Sequence, residues 1–143
     1  MTRWLSPLGY LYHGDMQPGD RAATSDEIAA AQALQPPDLN AGLAIISTAT
    51  SALNATYVIN PPQMMAEVLY IQVTTSEGAA KFSNGQTTKA WPDIGGAFHT
   101  FTTAQFITLA KACAQYVDAV LAQIAVVQAS GTPSWPTQPM TIP

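Results

Sequence analysis

Residues 91 to 106, "WPDIGGAFHTFTTAQF", hold much of what could do chemistry in this chain: Asp93, His99, the pair Gly95–Gly96 and a run of hydroxyls. A carboxylate beside an imidazole is the start of an acid–base pair, but turnover needs the two in contact and a third participant. A serine presented on a Gly-x-Ser-x-Gly elbow would supply one, and that motif is absent. The simpler role for these residue types at this spacing is a turn. Asp93 then caps it, Gly95 and Gly96 supply positive φ angles, and His99 stands on the strand that follows.

The other candidates are weaker. His13 with Asp15 and Asp20 is one imidazole and two carboxylates in a loop, with no helix or strand to fix their spacing for a metal. Turn chemistry accounts for them. The single cysteine, Cys113, excludes an internal disulfide and a cysteine-based zinc site. It falls on an apolar stripe and reads as a small buried hydrophobe. Gly95–Gly96 has neither the spacing nor the lysine of a phosphate loop. Met64 and Met65 read as core filler. Glycan hydrolysis needs two carboxylates flanking a cleft, and the 9 acids are scattered, with Asp26–Glu27 claimed by a helix start. The expectation is a protein without enzymatic activity, cofactor or metal.

Composition narrows the partners. Of 143 residues, 48% are apolar but only 10% charged, where about a quarter is usual for soluble domains. A surface of Thr, Ser, Gln, Asn and Ala repels little and suits contact with other protein. The net charge is −4, no run of basic residues exists, and Lys81 and Lys89 stand apart, so nucleic-acid binding is not expected. No apolar run reaches the length that spans a bilayer. The richest, "YVDAVLAQIAVV", carries Asp118 and Gln123, and the early run "WLSPLGYLY" is broken by Ser6, Pro7 and Gly9, so neither membrane span nor secretion signal is expected.

The elements that must position these residues follow from caps and periodicity. Thr24 and Glu27 have capping-box spacing and open a helix that Pro36–Pro37 stop. Leu39, Leu43, Ile46 and Leu53 suggest a helix over about 37–54, with "TYVI" leaving as a strand. Asn60 can cap the next helix with Pro61 at its first position, Met65, Val68, Leu69 and Gln72 along one side, and Gly78 at its end. Asn84–Gly85 is a tight-turn dipeptide. Phe82, Trp91, Phe98 and Phe101 are expected to cover one side of a small sheet. Thr102 and Gln105 repeat the capping box before a helix over about 103–129, whose stripe is Phe106, Ala110, Cys113, Val117, Val120, Ile124 and Val127. At about 40 Å it is longer than so small a domain needs, and its far end is a candidate for packing on a second copy. Gly131 is placed to end it.

The expected architecture is α+β: a small antiparallel hairpin or meander packed on a long C-terminal helix, with two or three additional helices. Residues 1–36 form a turn-rich segment with a short helix, a candidate partner-binding arm. Residues 37–130 form the core domain, and 131–143 an extended proline-rich tail. The tail either straps the domain or docks on a partner through Trp135, and the strap is favoured.

Two stretches carry a resemblance. The pattern "NATY" at 54–57, Trp91-x-Asp93-x-x-Gly96, "HTFT" at 99–102, Phe106 and Tyr116–Val117, with "PTQPMTI" near the end, resembles a domain of small bacteriophage tail-cluster proteins. That domain often forms the C-terminal part of tail-fibre assembly proteins. The opening "YLYHGDMQPGDRAATSDEIAAAQA" is similar to the start of tail-fibre assembly chaperones, through His13, Gly14, Pro18, Asp20, Thr24 and Glu27. The tryptophan usual in that helix and the Gly-Pro strand that often follows are absent here. The resemblance implies a factor that shields a tail fibre or other tail protein while three chains intertwine, acting in the bacterial host cytoplasm. The alternative is a structural component that stays in the virion tail, at a fibre tip or baseplate. Partner contacts are expected at Tyr10, Tyr12, His13, Trp91, Phe98 and Trp135, and structural roles at Thr24, Glu27, Asp93, Gly95, Gly96 and Thr102.

Overall fold

The computed structural model describes residues 2–143. The chain forms two compact units: residues up to Pro36 with Gln123–Ser134, and Pro37–Ala122 with Trp135–Pro143. The class is α+β, with small sheets and a long C-terminal helix.

The first unit opens with three two-residue strands, β1 (Trp4–Leu5), β2 (Leu11–Tyr12) and β3 (Arg21–Ala22), ordered β2-β1-β3 and antiparallel throughout. Helix α1 (Ser25–Ala33) starts at the expected capping box: Thr24 Oγ1 accepts from Glu27 N–H, and the Glu27 carboxylate accepts from Thr24 N–H at 2.9 Å. The Arg21 guanidinium grips the same carboxylate and holds it down to about 2. No side chain of α1 is fully buried. The end of α3 (Thr103–Gln128) also lies here. Its termination differs from expectation. Ser130, not Gly131, takes the left-handed conformation (φ 61°), with Ser130 N–H bonded to Val127 O and Gly131 N–H to Val126 O. This is a Schellman closure. Gly131 is needed for space, since a Cβ there would lie 2.7 Å from Val126 Cγ1.

The second unit holds the core. β4 (Leu43–Ser47) pairs antiparallel with β5 (Ala55–Tyr57) and parallel with β8 (Met140–Ile142). The helix expected over 37–54 is therefore absent: two 3-10 turns, Leu39–Ala41 and Ser51–Leu53, flank a strand. Leu43, Ile45 and Ser47 point inward while Ile46 is exposed, a period of two that the Leu/Ile spacing masked. Gly42 begins the strand at φ 82°, ψ −177°, a region open to glycine alone. The tail is a strap: Ile142 is buried in β8, and Gln138 accepts from Ala44 N–H at 2.8 Å while donating to Tyr116 Oη at 3.0 Å.

The hairpin β6 (Thr88–Pro92) and β7 (Phe98–Thr102) forms where expected, with Trp91 opposite His99. Phe106 sits at the hub of the core, edge-on to Trp91 (4.9 Å), Phe82 (5.4 Å) and Phe101 (6.0 Å). Phe98 does not join them. It is 70% exposed, because alternation along β7 sends His99 and Phe101 to the core face and Phe98 away. Thr102 and Gln105 complete the second capping box into α3, whose buried residues run from Phe106 through Cys113 and Tyr116 to Val120.

Helix α2 (Pro62–Ser76) departs from expectation at both its start and its face. Pro62 takes the first position after Pro61, with no side-chain cap. Asn60 is left-handed (φ 46°), and its Oδ1 is buried without a hydrogen-bond partner. The buried face is Met64, Glu67, Ile71 and Thr74. Met65 and Leu69, expected inside, face outward.

By length and composition α3 is apolar enough to cross a bilayer, with a mean hydropathy of 1.3 over its most apolar stretch, a test that core helices also meet. Phe106, Leu109, Cys113, Tyr116 and Val120 of this helix are instead buried inside the second unit.

Candidate functional site

The structure brings Asp93 and His99 into contact. Asp93 Oδ1 accepts from Gly95 N–H at 2.8 Å and Ala97 N–H at 3.0 Å, closing the turn. Gly96 supplies a positive φ of 88°. Gly95 does not adopt one, which corrects the expectation for that residue. A Cβ at Gly95 would instead stand 3.3 Å from Asp93 Oδ1. Asp93 Oδ2 lies 3.0 Å from His99 Nε2, and Ala52 O lies 2.7 Å from His99 Nδ1. Both ring nitrogens thus lie within hydrogen-bond distance of a protein acceptor. The bond to Asp93 and the one to Ala52 O raise the His99 pKa, and His99 in turn lowers that of Asp93. The Tyr57 ring stands edge-on to the imidazole at 5.6 Å. Its hydroxyl donates to Leu53 O at 2.8 Å, and burial pushes its pKa up to about 12.

Beside this turn lies an apolar pocket of about 500 Å³ between α2 and β6. Val58, Pro61, Ala66, Trp91 and Pro92 form its walls, with Gln63, Glu67, Lys89 and Asp93 at its margin. The charges there are compensated internally. Asp93 pairs with His99, and Glu67 with Lys89. Glu67 also accepts from Ser83 Oγ and from Ser83 N–H at 3.0 Å. Burial works to raise the Glu67 pKa, but the Lys89 and Ser83 bonds outweigh it and the net shift is downward. A buried carboxylate so paired is a structural anchor between α2 and the hairpin. It escaped sequence reading, although a 64–67–71–74 spacing on the 3.6-residue period would have shown it facing inward.

A second feature of α2 is the reverse of that anchor. Met65 (48% exposed), Leu69 (61%) and Val73 (55%) recur every four residues on the outer face, with Tyr70 (43%) alongside. Residues 62–76 carry one charge, Glu67, and it points inward. The outer face is thus an uncharged apolar stripe, of the kind that marks interaction surfaces.

The predicted contact residues are dispersed. Tyr10 and Phe98 are strongly exposed, at 69% and 70%, and each offers an aromatic ring to solvent. Trp91 is buried at 9%, packed on Phe106, and lines the pocket. Trp135 is half-buried. Tyr12 and His13 meet at a smaller cavity of about 300 Å³ in the first unit, together with Arg3 and Gln35. There the Tyr12 hydroxyl donates to the Asp20 carboxylate, which also accepts from Gln17 N–H at 2.8 Å. Among the described residues, no three His, Cys, Asp or Glu side chains gather as a metal would require. Cys113 is buried, and burial pushes its thiol pKa up, away from nucleophilic reactivity.

No protein family matches this chain, and searches of curated proteins and of solved structures return no match.

Proposed function

We propose that this chain is a phage tail-fibre assembly factor that covers apolar surface on a fibre protein until its three chains intertwine. The observation that carries the reading is the outer face of α2, where Met65, Leu69, Tyr70 and Val73 lie open to solvent without a charge among them. An unassembled fibre chain exposes apolar edges that aggregate. A factor that binds only that state removes it by mass action. Exposed Phe98 and Tyr10 add aromatic anchors of the type that dominate contact energies. The internally paired charges beside the pocket favour an uncharged partner segment. The resemblance carried by residues 54–57 and 91–102 supplies the phage context.

The test is co-expression with a trimeric phage tail-fibre chain, scoring soluble fibre. Wild type is expected to raise the soluble fraction, and Leu69→Gln with Val73→Gln to abolish that rise while the factor itself stays folded. Equal fibre solubility with and without the protein refutes the proposal. An assembly factor that dissociates is also absent from purified particles.

A further inference from the structure

The imidazole of His99 faces two acceptors. Ala52 O, 2.7 Å from Nδ1, is a backbone carbonyl with no proton to give. Asp93 Oδ2, 3.0 Å from Nε2, belongs to a carboxylate whose other oxygen already accepts from Gly95 and Ala97. A neutral imidazole carries one N–H and can satisfy one of these acceptors, whereas an imidazolium donates to both. We infer that His99 is a doubly donating imidazolium clamp, and that losing its proton releases one of its two ties, freeing the Asp93–Ala97 turn or the Ser51–Leu53 segment.

The surroundings supply no competing charge. The Ser51–Leu53 segment has no ionisable side chain. On β5 the facing group is Tyr57, whose phenol is neutral and bonded to Leu53 O. On β6, Trp91 lies directly across from His99, and Lys89, two residues along, is held by Glu67. The His99 and Asp93 side chains are each 17% exposed, so water competes weakly for either bond. The turn is also held by Ile94 N–H to Thr56 O at 2.8 Å, so deprotonation loosens it without unfolding the hairpin. Because Pro92 and Asp93 border the apolar pocket, the clamp also sets how firmly that margin is held.

The test uses the full chain labelled with ¹⁵N. Two-bond ¹H–¹⁵N spectra of the imidazoles report which nitrogens carry protons, and His13→Gln assigns the His99 signals. At pH 6 both His99 nitrogens are expected in the protonated range, with a titration midpoint above the ordinary value of about 6.5. Asp93→Asn preserves the shape but can turn an amide N–H toward Nε2, which then accepts. The imidazole should become neutral with its proton on Nδ1, and its proton affinity should fall by about tenfold or more, equal to one pKa unit. Protection of the Gly95 and Ala97 amides should persist in that variant. A wild-type His99 with a single protonated nitrogen at pH 6 overturns the inference, as does an Asp93→Asn titration that does not move. Should Asp93→Asn fail to fold, the wild-type spectrum alone decides.

Discussion

Replacing Gly42 with alanine probes the junction on which the core sheet depends. At φ 82° and ψ −177° the backbone occupies a region that costs an L-residue about 1–3 kcal/mol. The added Cβ would also meet Tyr57 O and Thr56 Cγ2, both at 2.8 Å, and Ile94 Cδ1 at 3.1 Å. The isoleucine tip can swing away, but the carbonyl cannot. Leu43 pairs with Tyr57 at that point, so retreat breaks the β4–β5 ladder. Overpacking of this kind adds about 1–3 kcal/mol, and the two terms together predict a loss of about 3–4 kcal/mol. For a chain of this size that lowers Tm by roughly 10 °C. Gly78→Ala is the control. Gly78 also has positive φ, at 105°, but nothing lies within 4 Å of its added Cβ, so it should lose only about 1–2 kcal/mol from the backbone term. Urea unfolding of the two variants beside wild type gives both numbers. If Gly42→Ala costs no more than Gly78→Ala, close approach to the Tyr57 carbonyl is not what requires glycine there.

Further outcomes follow from other contacts. Gln138→Ala removes the acceptor of Ala44 N–H and the donor to Tyr116 Oη and Gly42 O, and should cost about 2–3 kcal/mol, with faster hydrogen exchange of the β8 amides preceding global unfolding. Thr102→Ala deletes the acceptor of Gln105 N–H at the start of α3 and should cost about 1 kcal/mol by denaturant titration. The stability difference between wild type and His99→Gln should depend on pH. The raised His99 pKa makes its contribution complete below about 6.5, the unfolded value, and lost as pH rises through the folded value. The lowered Asp93 pKa makes its own contribution complete above about 3.9 and lost as pH falls through the folded value. The difference is therefore greatest between about pH 4 and 6.5, and a difference that instead grows from pH 6 to 8 contradicts the clamp.

The parts legible in sequence are those written in local chemistry. Both capping boxes, the Asn84–Gly85 turn, the hairpin around Asp93 and the helix α3 depend on residues within a few positions of one another, and all form where their spacing places them. The buried face of α3 matches its expected stripe only in part, taking in Leu109, Ala112 and Tyr116 and leaving Val117, Ile124 and Val127 half-buried. What escaped depends on distant partners. β4 reads as a helix until β8, almost a hundred residues away, supplies its parallel neighbour. Gln138 is an unremarkable amide between prolines until Gly42, Ala44 and Tyr116 surround it. Asp93 as a turn cap and His99 on the following strand are legible in sequence, but their contact across the turn is not. Nor is the carbonyl of Ala52 on the far side of the ring, which fixes the role of the imidazole.

Helix α2 forms as expected but buries an unexpected face, for a more instructive reason: polar residues share that face with Met64 and Ile71. Two polar residues, Glu67 and Thr74, occupy the buried face, and each is satisfied there. Glu67 is held by Lys89 and Ser83, while Thr74 Oγ1 donates to the Ile71 carbonyl and accepts from Lys81 N–H at 2.9 Å. Their bonds tie the helix to the 81–89 segment, so its inward orientation is set by polar anchors as much as by Met64 and Ile71. That arrangement frees Met65, Leu69 and Val73 from the core. A helix with ordinary amphipathicity would bury its aliphatic side chains and leave nothing apolar to present. Polar anchors on the inside are the physical condition for an apolar face on the outside, and so for the surface on which the proposed assembly role rests.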